Sequence, residues 1–374
     1  MLSDRDPVII AARRTPIGTR SRALAGLRVE ELAAPVIRAA LADAESAVDG
    51  AVSVADVVLG NCMGPGGNPA RVAALAAGLG MHIPGGTVDR QCGSGLAAVV
   101  DAVSAIRAGD SRPRVAGGVE SASTAPVRSL HGVPYDRAPF APAGFADPGM
   151  TRAAEDLAAH DGITRSRQDE HAARSHARAR AALHAGRFDA ELVPLAGLDR
   201  DDGIGAGERL LRRYPPLFDG GTLTAGTSTR ISDGAAAVVV APAGTAPGLA
   251  VRSAAFVGCD PALPGIGAAP AIETALRSFG ASVDDVRAFE IVEAFAAQSI
   301  AVLTRLGIAD DDPRVCADGG ALALGHPWGA SGAVAVVRLF SRLVRAEAPA
   351  GTLAVAAASV GGGLGIATVF EVVR

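Results

Sequence analysis

Two short motifs of this chain recur in the same order in its second half, and this duplication most constrains the fold. The segment CGSGLAAVV at residues 92–100 resembles GASGAVAVV at residues 329–337. Upstream, SVADV at residues 53–57 resembles SVDDV at residues 282–286. Because the two pairs keep the same order and nearly the same separation, the sequence predicts two similar halves that face each other.

Short apolar runs alternate with alanine-rich helical patterns along the chain. Residues 8–10 and 57–59 predict buried strands, whereas residues 29–42 and 69–78 predict helices, the second with a proline in its first turn. This alternation predicts an α/β fold whose strands are buried on both faces.

The segment between the halves, residues 121–221, has a different composition. It is first rich in proline and then has an arginine-, histidine- and alanine-rich helical pattern over residues 166–186. A lid over a ligand and a solvated surface excursion fit this composition about equally well. The predicted domains are residues 1–117 with 229–247 for the first half, 118–228 for an inserted loop domain, and 248–374 for the second half.

Composition excludes several classes of function. The net charge is −4 and the pI is near 6.0, so the chain has no overall basic footprint for nucleic acid or an anionic membrane. All 35 basic residues are arginine. Without lysine, the chain cannot form a lysine Schiff base, anchor pyridoxal phosphate or supply the lysine of a P-loop.

Cysteine usage and hydropathy predict a cytoplasmic protein. The four cysteines, at positions 62, 92, 259 and 316, have no metal-like spacing with histidine, so we expect free thiols and no metal site. The N-terminal residues lack the apolar run of a signal peptide. The uncharged stretch 348–370 contains a proline and three consecutive glycines. We therefore expect two buried strands joined by a glycine turn there, and no membrane span.

Cys92 and His326 are the residues with the strongest signals of reactivity. Cys92 follows a predicted strand and precedes a predicted helix, where a helix N-terminus lowers a thiol pKa and stabilises an oxyanion. A small buried hydrophobe is the alternative for a cysteine, but the Gly-Ser-Gly flank favours the reactive interpretation. His326 precedes the helix of the second repeat, so the duplication predicts that the two loops meet.

A third glycine loop, Gly361-Gly362-Gly363, could supply backbone N–H groups to an oxyanion, although a tight hairpin is the alternative. Neither a dinucleotide fingerprint nor a GxSxG elbow is present.

With these motifs, the chain resembles the thiolase family over essentially its whole length. The resemblance rests on AARRTPIG at residues 11–18, NPAR at 68–71, AGGVES at 116–121, TAG at 224–226, DGAA at 233–236, EAFA at 293–296, and GGGLG at 361–365, together with the Cys92 and His326 loops. It implies two five-stranded α/β halves in α-β-α-β-α layers with an inserted loop domain, and a homodimer or homotetramer.

The resemblance also implies roles for individual residues. Cys92 corresponds to the family's nucleophile, which takes the acyl group from acyl-CoA, and His326 to the histidine that activates it. The N–H groups of Cys92 and Gly361 correspond to an oxyanion hole. Ser253 corresponds to a serine that contacts the coenzyme A arm, and Met150 to a methionine near the acyl group.

Two positions depart from the family pattern. Val292 stands where an asparagine normally holds a water for a second oxyanion hole. Ser359 stands where a second cysteine normally exchanges the α-proton of the second substrate. Because a serine hydroxyl has a far higher pKa than a thiol, it cannot readily hold that negative charge. Glu293 is the carboxylate predicted near the site and is an alternative base.

These departures predict an acyltransferase that loads Cys92 from acyl-CoA, with no cofactor besides that thioester, and passes the acyl group to a second small molecule. The acceptor would be an already activated carbon nucleophile, an amine or a hydroxyl. Two alternatives remain: a conventional acetyl-CoA C-acetyltransferase or 3-ketoacyl-CoA thiolase of reduced activity, and a non-catalytic acyl-CoA-binding or scaffold subunit.

Overall fold

The centre of the molecule is a 10-stranded mixed sheet. The computed structural model describes residues 6–135, 137–205 and 207–374. The strands are β1 (Pro7–Arg14), β2 (Gly18–Thr19), β3 (Val57–Gly60), β4 (Gly86–Val88), β5 (Arg114–Glu120), β6 (Arg128–Leu130), β7 (Val133–Tyr135), β8 (Ser232–Pro242), β9 (Gly248–Gly258), β10 (Val286–Ile291), β11 (Leu353–Val360) and β12 (Leu364–Val373).

Helices precede or follow most of these strands, as the alternating pattern predicts. They are α1 (Val29–Val48), α2 (Pro69–Ala76), α3 (Ser94–Arg107), α4 (Met150–His160), α5 (Arg165–His184), α6 (Glu208–Leu211), α7 (Ala268–Phe279), α8 (Ala296–Arg305), α9 (Ala321–Leu324) and α10 (Trp328–Leu339). The strands predicted at 8–10 and 57–59 are confirmed, and so is the pair predicted within 348–370. In the described residues, no helix is long and apolar enough to cross a membrane.

The duplication is visible in the strand order. The order across the sheet is β10-β11-β12-β9-β1-β8-β5-β3-β4, and β2 pairs with β8. Counted outward from the centre of the sheet, the strands of the first half follow the order β1-β8-β5-β3. Those of the second half follow the corresponding order β9-β12-β11-β10. The first half continues to β4, whereas the described residues of the second half have only an isolated bridge between Phe289 and Val315 at that place. Turn hydrogen bonds from Val315 to Asp312 and from Gly319 to Cys316 end the pairing there, so a full fifth strand does not form.

The two repeated helices form the middle layer, and the predicted five-layer arrangement is confirmed. Helices α3 and α10 pack against each other between the two halves of the sheet, with α1 and α2 on one outer face and α7 on the other. A Cβ at Gly95 would lie 2.8 Å from the Gly329 carbonyl oxygen, and one at Gly332 would lie 2.6 Å from the Leu96 nitrogen. Glycines at this crossing therefore let the two helices approach closely.

The inserted segment leaves the sheet after β5 and returns at β8. It contains the β6–β7 hairpin and helices α4 to α6. Its Glu191 and Asp201 carboxylates form buried ion pairs of 2.7 and 2.6 Å with Arg14 of β1. Glu191 also contacts Arg338 of α10, so one carboxylate ties the inserted segment to both halves. The predicted domain boundaries stay predictions.

Candidate active site

Cys92 lies in the turn that leads from β4 into α3. Gln91 has a φ of +46°, a left-handed conformation that residues other than glycine rarely adopt. The Ser94 hydroxyl fixes this turn, since it donates to the Gln91 carbonyl at 2.6 Å and accepts from the Arg90 N–H at 2.7 Å. The turn holds the thiol at the N-terminal end of a 14-residue helix, where the helix dipole stabilises negative charge.

His326 lies in the loop between α9 and α10, and its side chain faces Cys92. Its Nε2 is 3.3 Å from Cys92 Sγ, and its Nδ1 is 2.6 Å from Ser331 Oγ. The Ser331 hydroxyl donates its single proton to the Pro327 carbonyl at 3.0 Å, so it accepts from the Nδ1–H. This assigns the tautomer in which the lone pair of Nε2 faces the thiol.

Burial determines the resting charges of this pair. Burial, with smaller contributions from the nearby carboxylates of Glu120 and Asp89, raises the pKa of Cys92 to about 12. The lowered thiol pKa expected at a helix N-terminus is therefore wrong for this site, because burial outweighs the helix dipole. Burial also lowers the pKa of His326 to about 4. Near neutral pH the pair therefore rests as a neutral thiol and a neutral imidazole, and a thiolate forms when the proton moves to Nε2.

Glu120, at the end of β5, holds the Cys92 and His326 loops together. Its buried carboxylate accepts from the Gly329 N–H at 2.9 Å, at the start of α10. It also accepts from the N–H groups of Cys62 and Met63 at 3.1 and 3.0 Å, next to the Cys92 turn. The AGGVES motif at residues 116–121 contains Glu120, but the sequence indicates no role for this residue because its partners are distant in sequence.

The thiol and the imidazole open into a cavity of about 270 Å³. Met150 and Gly361 line it, as the resemblance implies, and so does Ser359. A Cβ at Gly361 would lie 2.7 Å from the Phe140 ring, so this position accepts only glycine without a shift. The rest of the lining is mainly apolar: Gln91, Phe140, Thr151, Leu217, Ser228, Thr229, Ile231, Pro264, Gly265, Ala294, Phe295, Gln298, Trp328 and Val360.

Ser359 uses its hydroxyl for backbone contacts beneath the cavity. It donates to the Gly265 carbonyl at 2.6 Å and accepts from the Ala268 N–H at 3.0 Å, at the start of α7. The hydroxyl proton is therefore used in a hydrogen bond to a carbonyl, and the hydroxyl oxygen stabilises the start of α7.

Three of the candidate residues are not part of the cavity lining. Val292 is buried in the apolar core and lines a separate cavity of about 30 Å³. Ser253, on β9, donates its hydroxyl to the Ala275 carbonyl at 2.7 Å. The Glu293 carboxylate accepts from Ser175 at 2.7 Å and lies 3.2 Å from His171 Nε2, both on α5. These contacts favour a structural role for Glu293 over the predicted role as an alternative base.

Several lining residues carried no signal in the sequence. Phe140 and Leu217 belong to the inserted segment, where no motif marks them, and they reach the cavity only through the fold. Phe295 lies within the EAFA motif and Trp328 lies two residues after His326, so their nearness to the cavity could have been inferred. In the described part of the chain, no three His, Cys, Asp or Glu side chains lie close enough together to hold a metal ion.

Two family models together match almost the whole chain. "Thiolase, N-terminal domain" matches residues 7–244, and "Thiolase, C-terminal domain" matches residues 246–372. The first model spans the inserted segment as well as β1 to β8. The resemblance inferred from the motifs is therefore confirmed.

Individual relatives and solved structures agree with these matches. "Putative acetyl-CoA C-acetyltransferase YhfS" of Bacillus subtilis (strain 168) is 42% identical, covering 98% of this chain and 99% of that protein. "Putative acetyl-CoA C-acetyltransferase VraB" of Staphylococcus haemolyticus is 38% identical over 98% of this chain and 99% of that protein. The crystal structure of Bacillus anthracis acetyl-CoA acetyltransferase is similar at 33% identity and a TM-score of 0.87, covering 98% of this chain and 99% of that one. Human mitochondrial 3-ketoacyl-CoA thiolase, solved with CoA, is similar at 30% identity and a TM-score of 0.88, with both chains fully covered.

Proposed function

Because the chain belongs to the thiolase family of acyltransferases, we propose that it takes an acyl group from an acyl-CoA onto Cys92 and passes it to a second small-molecule nucleophile. The observation that carries this proposal is the 3.3 Å contact between Cys92 Sγ and His326 Nε2 at the cavity. The names of the relatives, and the CoA in the solved human thiolase, support the choice of a coenzyme A thioester as acyl donor.

In the first step, Nε2 of His326 takes the thiol proton while Sγ of Cys92 attacks the thioester carbonyl carbon. The tetrahedral intermediate collapses, its bond to the coenzyme A sulfur breaks, and that sulfur receives the proton from the imidazolium. The products are acyl-Cys92 and free coenzyme A. The N–H groups of Cys92 and Gly361 are the proposed donors to the oxyanion, a contribution worth about 10²–10³ in rate per donor in comparable sites.

In the second step, the acceptor attacks the acyl carbon, the bond from that carbon to Sγ breaks, and Cys92 leaves as a thiolate. The proton lost by a ring, amine or hydroxyl acceptor passes through Nε2 of His326 to Sγ, whereas after attack by a carbanion the proton on Sγ comes from water. The Ser359 hydroxyl is held by Gly265 and Ala268, and the Glu293 carboxylate is held by α5. Both contacts support an acceptor whose nucleophilic form does not need a protein base at these positions. A carbanion released by decarboxylation of a malonyl unit, an electron-rich ring, an amine and a hydroxyl all meet this condition.

A conventional acetyl-CoA C-acetyltransferase is the second candidate, since the names of the relatives favour it. It shares the first step and differs only in the acceptor, which would be a second acetyl-CoA. Acetoacetyl-CoA cleavage by coenzyme A separates the two candidates, because it requires protonation of the departing carbanion.

The proposal is tested by intact-protein mass spectrometry after mixing the protein with a panel of acyl-CoAs. We expect a mass gain equal to the acyl group in the wild type and none in Cys92→Ala. His326→Asn should slow the gain by about 10²–10⁴, the usual contribution of a positioned general base.

Cys259→Ala is the matched control, because this cysteine is also partly accessible but does not line the cavity. It should be acylated like the wild type. An adduct that persists in Cys92→Ala, or no adduct with any donor, would contradict the proposal. The second result would favour a binding or scaffold role.

A further inference from the structure

Gln298, in the first turn of α8, is a buried amide in the wall of the cavity. Its side chain is 2% exposed, and its Oε1 accepts from the Ala294 N–H at 3.0 Å. Because the oxygen and nitrogen of a carboxamide point to different sides, this bond fixes where Nε2 lies. Among the described residues, Nε2 of Gln298 has no hydrogen-bond partner.

Nearby polar side chains of the cavity do not share this property. Ser228 donates to the Thr224 carbonyl at 2.8 Å, and Thr229 donates to the Ala321 carbonyl at 2.6 Å. Ser359 donates to the Gly265 carbonyl. A buried N–H without an acceptor is costly, so a polar group left in this state at a cavity wall indicates a place for a ligand oxygen.

We propose that Nε2 of Gln298 donates a hydrogen bond to the carbonyl oxygen of the acyl acceptor, and to the same oxygen when it carries negative charge in the second step. The inference rests on the proposed function, because it concerns the molecule that receives the acyl group from Cys92. An amide donates a hydrogen bond without titrating near neutral pH, so no covalent bond of Gln298 forms or breaks. The acceptor class is accordingly a carbonyl compound, such as a coenzyme A thioester, rather than a simple amine.

The substitution at Val292 explains why such a donor matters in this chain. Valine cannot hold a water by hydrogen bonds, and the structure buries Val292 in the core, away from the substrate cavity. Gln298 lies one helical turn beyond the same motif and does line the cavity. In this chain no side chain at position 292 can hold a water against the carbonyl oxygen of the acceptor. The amide of Gln298 would donate to that oxygen directly instead.

The first test measures binding of acetoacetyl-CoA to a Cys92→Ala background by isothermal titration calorimetry. Gln298→Glu keeps an oxygen for the Ala294 N–H and replaces the donor with an acceptor, and Gln298→Met removes both polar atoms. Each should weaken binding about tenfold, the effect of losing one buried hydrogen bond.

Gln168→Glu is the matched control for placing a carboxylate in the protein interior. Gln168 is also buried, but its Nε2 already donates to Thr222 at 2.9 Å and it lies outside the cavity. The control should bind acetoacetyl-CoA like the background protein. Thermal unfolding of every variant identifies any loss of binding that follows from loss of folding.

The second test separates this inference from the proposed function. Acyl-Cys92 is prepared from acetyl-CoA, isolated, and mixed with malonyl-CoA, and its disappearance is followed by mass spectrometry. With Gln298→Met, loading should match the wild type, whereas the decay with malonyl-CoA should be at least tenfold slower. Normal loading with unchanged decay and unchanged binding would overturn the role of Gln298 alone. Failure to load the wild type would overturn the proposed function as well.

Discussion

The contact between His326 and Ser331 decides which imidazole nitrogen presents a lone pair to Cys92. Since Ser331 donates to the Pro327 carbonyl, it accepts from Nδ1–H and leaves Nε2 free to take a proton. The hydroxyl reaches the Pro327 carbonyl because Ser331 lies one helical turn after Pro327, at the start of α10. The tautomer of His326 thus depends on a hydroxyl that does not line the cavity of about 270 Å³.

The low pKa of His326 predicts an unusual pH dependence of acylation. The imidazole must be neutral to accept the thiol proton, and burial lowers its pKa to about 4. The rate of acyl-Cys92 formation should therefore hold from pH 8 to about pH 5.5 and fall only as the pH approaches 4. Rapid-quench mass spectrometry across this range measures it. An acid limb centred near 6.5, the ordinary value for histidine, would contradict the assignment.

Ser359→Cys should raise the rate of acetoacetyl-CoA cleavage by coenzyme A. Position 359 lines the cavity, and a thiol there can hold the negative charge that a hydroxyl cannot. A positioned acid of suitable pKa contributes about 10²–10⁴ in rate, and we expect at least tenfold in a steady-state assay. Ser359→Ala is the control: it should lose about 1 kcal/mol of stability with its backbone contacts and gain no activity. Equal activity in Ser359→Cys and wild type would contradict this account of the defect.

At the residue scale, the sequence predicted the contact between Cys92 and His326 better than the contacts around it. Cys92 and His326 stand in glycine-flanked loops at corresponding places in the repeat, so their positions follow from local pattern and symmetry. The local pattern and the repeat do not predict which way the side chains of Ser253 and Glu293 point. Their partners, the Ala275 carbonyl and the α5 side chains, come from other elements, and only packing determines which way each side chain turns.

At the scale of elements, the crossing of α3 and α10 sets the distance between Cys92 and His326. The first turn of α3 follows Cys92, and α10 follows His326, so moving the helices apart would also increase the distance between these two side chains. The repeated motifs predicted both helices but not how close they come. The short distance between the helices depends on Gly95 of α3 and Gly332 of α10, which pack against the backbone of the opposite helix. The sequence of one repeat does not show which residues of the other repeat it contacts.

Gly332→Ala should disturb both stability and catalysis. Its Cβ would lie 2.6 Å from the Leu96 backbone nitrogen, so α3 or α10 must move. We expect a loss of about 1–3 kcal/mol in the free energy of unfolding, measured with urea, and slower acylation of Cys92. Gly26→Ala is the matched control, because nothing lies within 4 Å of its added Cβ. If the two variants behave alike, close helix packing does not position the site.

At the scale of the whole molecule, one buried carboxylate network joins parts that are distant in sequence. Glu191 of the inserted segment contacts Arg14 of the first half and Arg338 of the second. The sequence predicted the two facing halves from the repeat and an insertion from composition. It could not predict this junction, because the charges that meet there are 147 and 177 residues apart.

The end of the sheet predicts self-association. Among the described residues, strand β4 pairs only with β3, so its other edge is open. Helix α2 packs against β4, and Leu75 of α2 and Met81, which precedes β4, are 45% and 87% exposed. An open edge flanked by apolar side chains is typical of a surface covered by another chain, and the family resemblance makes a second copy the expected one. Light scattering after gel filtration should give a multiple of 37.3 kDa for the wild type and a smaller species for Leu75→Arg with Met81→Asp.

Val133→Asp, at an exposed residue of the β6–β7 hairpin far from this edge in sequence, is the control and should keep at least the dimer. A wild-type mass of one chain would contradict the prediction. A mass unchanged by the edge substitutions would place the interface elsewhere.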